Sequence, residues 1–570
     1  MNQLKEKSDN NSGIKNFLKK HVYSIIFLVL LTLIVSVITY YRILIQIDMG
    51  PVSDTIDFFT NALVFAGKGI EYSDLLRPPF FSFITSLFIR LGYTSIDTIF
   101  FVDGGLFVFG VVGMFLLLKI KFNDLESFLG GLLYATFPIV LTVLAIGFSD
   151  LSSVSFSIWA IYFTVLAVKN DSKFFYLAFP FLLFAFLTRY NNALLIFPVF
   201  LLILINRNKI NFKNFIIGVS ASILAFVPVL IFYYFKFGNI IYPFINFGST
   251  STTVSGSSVS AAYDPNVLFY LQKFPDFIGF QGFLIMLIVA FGVVFYLFLR
   301  FIRNRDKKNL FEGRSLKGRA TKIKWLTTII LLVIFLGSFD RTIYFFSEVL
   351  FFVLSCMFYD LSKNSIKDID IHLMVFTWFM MFFIFQSVFV IKDNRYFVLM
   401  APPVAYFMIL GLSKISHALK FKFKNTNITF PVLAIILTSI ILIFTAYQLP
   451  AILETNNNKA IANENIELAS QWFVNYDPNY KNQNIYSDLW PNFSWYLKTN
   501  VKPVPIFKNN QTIMMGGVND NIFNQEDSNQ YNNYLLTNKA DYYLCVRPGL
   551  NLTSYTPIKQ FGIVIIYKKI

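Results

Sequence analysis

YSIIFLVLLTLIVSVITYYRILIQIDMGPVSDTIDFF, residues 23–59, is a long apolar run followed within a few residues by two aspartates. A helix needs about 20 mostly apolar residues to cross the bilayer. The run at 23–47 is longer than a signal-peptide core, and no small-residue cleavage site follows it, so we predict a retained first transmembrane helix. Asp54 and Asp57 then lie at the membrane boundary, where lost hydration makes a carboxylate costly.

Composition places the whole chain among polytopic membrane proteins. Of its 570 residues, 56% are hydrophobic and only 14% are charged, whereas a soluble protein carries about 25% charged residues. Cys356 falls in a predicted span and Cys545 near the C-terminus, so a disulfide framework is not expected.

Similar apolar runs recur until about residue 450, after which the chain is polar and Asn-rich. We predict a cytoplasmic N-terminus (1–22), a transmembrane domain (23–450) with a first outer loop at 48–94, and an extracytoplasmic C-terminal domain (451–570). Apolar stretches of about 20 residues predict thirteen spans, of which the fifth and sixth are short enough to form one broken hairpin: 23–47, 95–118, 126–147, 151–168, 174–188, 191–205, 214–236, 281–299, 325–339, 342–360, 371–391, 396–413 and 428–449.

The distribution of Lys and Arg predicts the orientation. With a cytoplasmic N-terminus, the cytoplasmic segments carry 28 of the 48 Lys and Arg residues, whereas the outer segments before residue 450 carry ten. This asymmetry follows the positive-inside rule, so the net charge of +16 requires no nucleic-acid partner. The most basic loop, 300–324, also offers a surface to anionic membrane lipids.

The same orientation places a set of ionisable residues at the outer mouth of the bundle. Most of these outer loops are short, so the charges lie near headgroup depth, where such groups usually pair or face a cavity. Each residue alone is explained by helix capping or snorkelling, but the group predicts a polar site. The set comprises Asp54, Asp57, Arg77, Asp150, Arg189, Asp340, Arg341, Lys392, Asp393 and Arg395. Asp103 and Glu348, inside predicted spans, are further candidates without an assigned role.

The first outer loop also contains an ordered motif. Asp54 and Asp57 are followed by FFTNALVFAGKG (58–69), by a Tyr and by Arg77 before Pro-Pro. Weaker matches follow in GFSDLSSVSF (147–156), FLTRYNNALLIFPVFLLIL (186–204), FGNIIYPF (237–244) and KDNRYFVLMAPPVAYF (392–407). The pattern resembles the GT-C superfamily of glycosyltransferases that use polyprenyl-phosphate sugars. It is most similar to the dolichyl-phosphate-mannose protein mannosyltransferases and the lipid A aminoarabinose transferases.

Two features depart from this pattern. Thr55 follows Asp54 where the family often has Asp-Glu. The Trp-Trp-Asp-Tyr-Gly signature of oligosaccharyltransferases is absent from the sequence, which argues against transfer of whole oligosaccharides.

The resemblance implies that the chain moves a sugar from a polyprenyl (dolichyl-type) phosphate donor to a protein, lipid or glycan acceptor on the outer side of the membrane. It places the catalytic base at Asp54, in a single displacement. A double displacement needs a second carboxylate about 5 Å away across the sugar. Asp57 lies one turn on and shares a face with Asp54 if that segment is helical, so we assign it to acceptor contact, a metal or the helix start. Asp150 is either an N-cap or an acceptor or donor contact.

Four basic residues are candidates for the donor phosphate. Arg77 matches the family's basic residue before Pro-Pro, and an Arg binds phosphate bidentately. Lys392, Arg395 and Arg189 lie at the predicted outer ends of spans, where interfacial snorkelling is the alternative explanation. A divalent metal ion at Asp54 and Asp57 is left open, because some GT-C enzymes use one and others do not.

The C-terminal domain is predicted to be a small α/β layer, because strand-like and helix-like segments alternate there. The resemblance implies that this domain lies above the mouth of the site, as a structural cover in preference to a sugar-binding unit. Its glycosylation sequons at Asn492, Asn510 and Asn551 are consistent with an outside location. The alternative function is a transporter or flippase for a lipid-linked or small polar substrate. That class favours internal repeats and broken spans at mid-membrane, and no clear repeat is present in this sequence.

Overall fold

The computed structural model of the protein describes residues 2–246, 260–304, 319–418, 422–423, 426–427, 429–513, 517 and 522–570. Most of the basic loop predicted at 300–324 lies outside the described residues. The described part is a bundle of helices that ends in a small mixed α/β unit. This agrees with the predicted fold class.

The first half of the bundle holds the helices that carry most of the predicted site. The first outer loop forms two short helices, α2 and α3, between the long apolar helices α1 and α4. The helices are α1 (Asn2–Met49), α2 (Ser53–Phe65), α3 (Pro79–Arg90), α4 (Asp97–Lys119), α5 (Asp124–Ala135), α6 (Pro138–Val143), α7 (Ser149–Lys169), α8 (Phe175–Thr188), α9 (Ile196–Ile205) and α10 (Phe212–Phe237).

The second half continues the bundle and leads into the C-terminal unit. Its helices are α11 (Phe269–Gln272), α12 (Phe274–Asn304, interrupted at Gly279), α13 (Arg319–Ser338), α14 (Tyr344–Ser362), α15 (Ile369–Val388), α16 (Ala401–Ala418) and α17 (Thr429–Tyr476). A short hairpin of β1 (Lys422–Phe423) and β2 (Thr426–Asn427) precedes α17.

Eight helices among the described residues are long and apolar enough to cross a membrane. The predicted count of thirteen is therefore not confirmed. Five predicted spans correspond to shorter or less apolar helices, namely α5 with α6, α8, α9, α13 and α16. The span predicted at 126–147 is divided because Pro138 begins α6 and has no backbone N–H to continue α5.

Close packing of α1 on α4 forms one wall of the bundle. A Cβ added at Gly104 would lie 2.7 Å from Thr39 Cγ2 and 2.9 Å from Ile43 Cδ1. No larger residue fits at that approach without movement of α1, and small residues commonly allow membrane helices to pack closely.

The C-terminal unit is continuous with the membrane bundle through α17. Helix α17 runs for 48 residues, through Pro450, and its second half packs on a five-stranded sheet. The strands stand in the order β4-β3-β7-β9-β8, with β3 parallel to both neighbours and the other pairs antiparallel. The remaining elements are β3 (Ile485–Ser487), α18 (Trp490–Leu497), β4 (Lys502–Pro503), β5 (Ile506–Lys508), β6 (Gln511–Ile513), α19 (Gln525–Thr537), β7 (Tyr542–Cys545), β8 (Tyr555–Phe561) and β9 (Val564–Lys569).

The C-terminal unit rests on the first loop through α18. Ser53 donates a hydrogen bond to Asn492 Oδ1 (2.8 Å), and the rings of Phe59 and Trp495 meet edge to face at 5.5 Å. These contacts fix α2 between the helical bundle and the C-terminal unit.

Candidate active site

The start of α2 holds the two aspartates of the motif on one helical face. Asp54 lies in the first turn and Asp57 one turn later. The side chain of Asp54 is 28% exposed, whereas that of Asp57 is only 5% exposed. The prediction that both share a face is confirmed by this helix, and Asp54 is the more exposed of the two.

Arg77 binds both aspartates from the loop before α3. Its Nη2 lies 3.0 Å from Asp54 Oδ1 and also donates to Asp57 Oδ2. Its Nε donates to Asp74 Oδ2 at 3.0 Å. One guanidinium therefore faces three carboxylates. Asp74 was not among the sequence candidates, although its place three residues before Arg77 is a spacing at which side chains can meet.

Arg395 reaches Asp54 from a segment much later in the chain. It lies in a 3₁₀ helix, Asn394–Leu399, and its Nη1 is 2.9 Å from Asp54 Oδ2. Its Nε is 2.9 Å from Asp393 Oδ2, and its guanidinium lies over the Phe148 ring at 4.9 Å from the centroid. Each oxygen of Asp54 is thus paired with a different arginine.

These surroundings shift the pKa values of the two aspartates in opposite directions. Burial alone would raise the pKa of Asp54, but the guanidiniums of Arg77 and Arg395 together hold it well below its usual range. Burial raises the pKa of Asp57 despite the opposing charge of Arg77, and Tyr72 donates a hydrogen bond to the Asp57 carboxylate. Asp54 is therefore ionised at neutral pH and is a weak base while both arginines hold it.

A second ion pair lies next to the first. Arg189, at the end of α8, donates to Asp150 in the first turn of α7. The guanidinium of Arg189 lies 5.1 Å from the centroid of the Tyr396 ring, and that of Arg395 lies 5.6 Å from the same centroid. Tyr396 therefore joins the two pairs into one cluster. Its aromatic role, like that of Phe148, was missed because no sequence pattern marks a ring as a partner of a cation.

Lys392 lies outside this cluster. Its amino group donates to three carbonyls at the end of α15, those of Gln386, Ser387 and Phe389. Burial lowers the pKa of Lys392 to about 8. Carbonyls at a helix C-terminus have no intrahelical partners, so this lysine caps α15, and we do not include it in the proposed phosphate site.

We expect Lys392→Met to change the affinity for a lipid phosphate by less than about twofold. A deviation of about that size is usual between sites that do not interact. Titration of undecaprenyl phosphate into the purified protein measures this affinity. Arg395→Met is the matched comparison and should weaken binding strongly. An equal loss in both variants would return Lys392 to the phosphate site.

The carboxylates do not form a metal site in this arrangement. Among the described residues, no three or more His, Cys, Asp or Glu side chains are grouped so that they could hold an ion. Both oxygens of Asp54 face guanidiniums, which repel a cation. A divalent metal ion at Asp54 and Asp57 stays a prediction that rests on the resemblance alone.

Comparison with known proteins gives a family match over part of the chain. Residues 76–232 match the model of the dolichyl-phosphate-mannose-protein mannosyltransferase family. That segment contains Arg77, Asp150 and Arg189 but begins after Asp54 and ends before Arg395. No curated protein sequence matches the chain.

Solved structures match over nearly the whole chain. ArnT from Cupriavidus metallidurans bound to undecaprenyl phosphate aligns with a TM-score of 0.53 at 11% identity, over 95% of this chain and 98% of ArnT. Apo ArnT aligns with a TM-score of 0.52 at 12% identity, over the same shares of the two chains. The apo oligosaccharyltransferase of Archaeoglobus fulgidus has a TM-score of 0.49 at 13% identity, over 91% of this chain and 69% of its own. The chain has the fold of the GT-C superfamily of membrane glycosyltransferases, which confirms the resemblance seen in its first loop.

Proposed function

We propose that the protein transfers a sugar from a polyprenyl-phosphate donor to a protein, lipid or glycan acceptor on the outer side of the membrane. Asp54 is the general base, and Arg77 and Arg395 bind the donor phosphate. The single observation that carries this assignment is that two arginines, 318 positions apart in sequence, converge on the two oxygens of one partly exposed carboxylate. The GT-C fold and the family match support the class of reaction.

The proposed reaction is one displacement. Asp54 takes the proton of the acceptor hydroxyl as its oxygen attacks the anomeric carbon. The bond from that carbon to the phosphate oxygen breaks, and the phosphate leaves with the electron pair. Arg77 and Arg395 stabilise the charge that grows on the leaving phosphate, and this stabilisation is stronger in the transition state than in the ground state.

The same arginines couple donor binding to the strength of the base. Without a donor, both hold Asp54 and keep its pKa low. A phosphate that binds these guanidiniums competes with Asp54, so the carboxylate loses part of its ion pairing and becomes a stronger base. We infer that the donor binds before the acceptor can react.

The neighbouring residues position these groups. Asp57, with Tyr72, holds Arg77, and Asp150 holds Arg189 beside Tyr396. We propose that Arg189 contacts the donor from this second position. Asp57 and Asp150 then orient the cations, and the acceptor reaches Asp54 on its exposed side.

The reaction class is tested by binding and by transfer. Purified protein in lipid nanodiscs should bind undecaprenyl or dolichyl phosphate, and should bind the corresponding polyprenols, which lack the phosphate, at least about tenfold more weakly. A charge pair near a protein surface is strong enough to produce such a difference. Equal affinity for the alcohol and the phosphate would contradict the proposed phosphate site.

The proposed orientation has its own test. We predict that residues 300–324 are cytoplasmic and that the C-terminal unit is outside. In a variant with Cys356 and Cys545 replaced, a membrane-impermeant maleimide added to intact cells should label Asn529→Cys, an exposed position, and should not label Leu310→Cys. Permeabilised cells provide the control, in which both are labelled. Labelling of position 310 alone in intact cells would place the site on the wrong side.

A further inference from the structure

The segment that joins α6 to α7, residues 144–148 (LAIGF), lies against both halves of the proposed site. Thr55, next to the proposed base, donates its hydroxyl to the Ile146 carbonyl at 2.8 Å. The Phe148 ring lies beneath the guanidinium of Arg395. Movement of this segment would therefore shift the base and one phosphate ligand together.

The segment has a backbone conformation that must be held in place. Ala145 has φ +57° and Gly147 has φ +83°, both in the left-handed region. This region is unfavourable for alanine and persists only where the surroundings impose it. At Gly147 a Cβ would also lie 2.7 Å from Thr55 Cγ2, so the close approach to α2 requires glycine.

Two buried ionisable side chains hold the segment and the end of α6 that precedes it. Arg42 of α1 donates to the carbonyls of Leu141 (3.1 Å) and Thr142 (3.3 Å), where α6 ends. Asp103 of α4 accepts a hydrogen bond from the Gly147 backbone N–H at 3.2 Å and one from Ser152 Oγ at 2.8 Å. Arg42 and Asp103 are each 1% exposed, and a charge at that depth is costly unless it is paired or hydrogen-bonded.

We propose that Asp103 is a positioning residue for Arg395. By holding the Gly147 N–H it fixes residues 144–148, and the fixed Phe148 ring keeps the guanidinium of Arg395 in place beside Asp54. The inference rests on the proposed function, because that function gives Arg395 the donor phosphate. It assigns a role to a buried carboxylate that does not itself touch the reacting groups.

A double-mutant cycle in the full-length protein tests this role, with undecaprenyl phosphate as the probe in nanodiscs. Asp103→Ala should weaken binding about tenfold in the wild-type background and less than about twofold in the Arg395→Ala background, because residues that act through one another are not additive. A general structural role predicts the same factor in both backgrounds. That result, or unchanged binding in Asp103→Ala, would overturn the proposal.

Gly147→Ala alters the other partner of the hydrogen bond to Asp103. It replaces Asp103→Ala as the test if that variant does not fold. It should also weaken binding only when Arg395 is present. Gly105→Ala is the matched control, because a Cβ there meets nothing within 4 Å, and it should bind as the wild type does. Unchanged binding in Gly147→Ala, or an equal loss in both backgrounds, would overturn the proposal.

Different results would overturn the proposed function and the positioning role of Asp103. If the wild type binds undecaprenyl phosphate no better than undecaprenol, the proposed function is wrong and this inference falls with it. If the wild type discriminates between these lipids but the Asp103 and Gly147 variants match it, only the positioning role is wrong.

Discussion

An Asp54→Asn variant is expected to transfer sugar at least about 100-fold more slowly than the wild type, because general-base catalysis contributes at least that factor. Asparagine keeps the size of the side chain and loses the ability to take a proton. The measurement is the initial rate of transfer with the purified protein, or accumulation of the glycosylated product in cells at matched expression. A residual rate above about a tenth of wild type would exclude Asp54 as the base.

The same variant should bind the donor phosphate at least as tightly as the wild type. Asp54 competes with the phosphate for Arg77 and Arg395, so removal of its charge leaves both arginines available. Asp276→Asn is the control, since its side chain is 72% exposed and lies outside the site, and neither its rate nor its affinity should change. Weaker binding of the donor phosphate by Asp54→Asn, with no change in Asp276→Asn, would contradict the competition between carboxylate and phosphate.

Substitution of the two arginines is expected to have the second large effect. Arg77→Ala and Arg395→Ala should each weaken binding of the lipid phosphate and slow transfer, since each removes a cation from the leaving group. Arg→Lys at either position keeps the charge but loses the planar fork, so transfer should fall while folding is retained. Arg90→Ala, at the exposed end of α3, is the control.

The double variant decides whether both side chains act on one phosphate. Their combined effect on binding should differ from the sum of the single effects by more than about 0.5 kcal/mol. Arg77→Ala also leaves Asp57 and Asp74 without their cation, so its folding must be checked by size-exclusion chromatography and thermal unfolding. If the losses add within about 0.5 kcal/mol, or if Arg395→Ala changes neither binding nor rate, the two arginines do not share a phosphate.

The sequence is informative about the helices because a segment that crosses the hydrocarbon must be mostly apolar over about 20 residues. Apolar length predicts where chains cross, and the spacing of the two aspartates predicts a shared face if their segment is helical, as it is in α2. The length of an apolar run is a poor guide to the helix where the run contains a proline. Pro138 divides its run into α5 and α6, whereas Pro450 lies inside the continuous helix α17. The outcome there depends on tertiary packing, which can supply the contacts that a lost hydrogen bond would have provided.

The composition of the site is harder to predict than its location. Lys392 and Arg395 are three residues apart and both have basic side chains, yet the lysine caps a helix and the arginine reaches Asp54. Only the positions of the α15 carbonyls and of α2 distinguish them. The contact between Asp54 and Arg395 joins residues 341 positions apart, and no local pattern in one sequence specifies such a pair.

The most direct test of the central claim is mass spectrometry of envelope glycoproteins and glycolipids from the native cells. Cells with the wild-type protein are compared with cells that carry Asp54→Asn at the same abundance. We predict that at least one protein, lipid or glycan loses a defined sugar mass in the variant, while the polyprenyl-phosphate sugar donor persists. Identical glycans in the two strains, with both proteins present and folded, would contradict it.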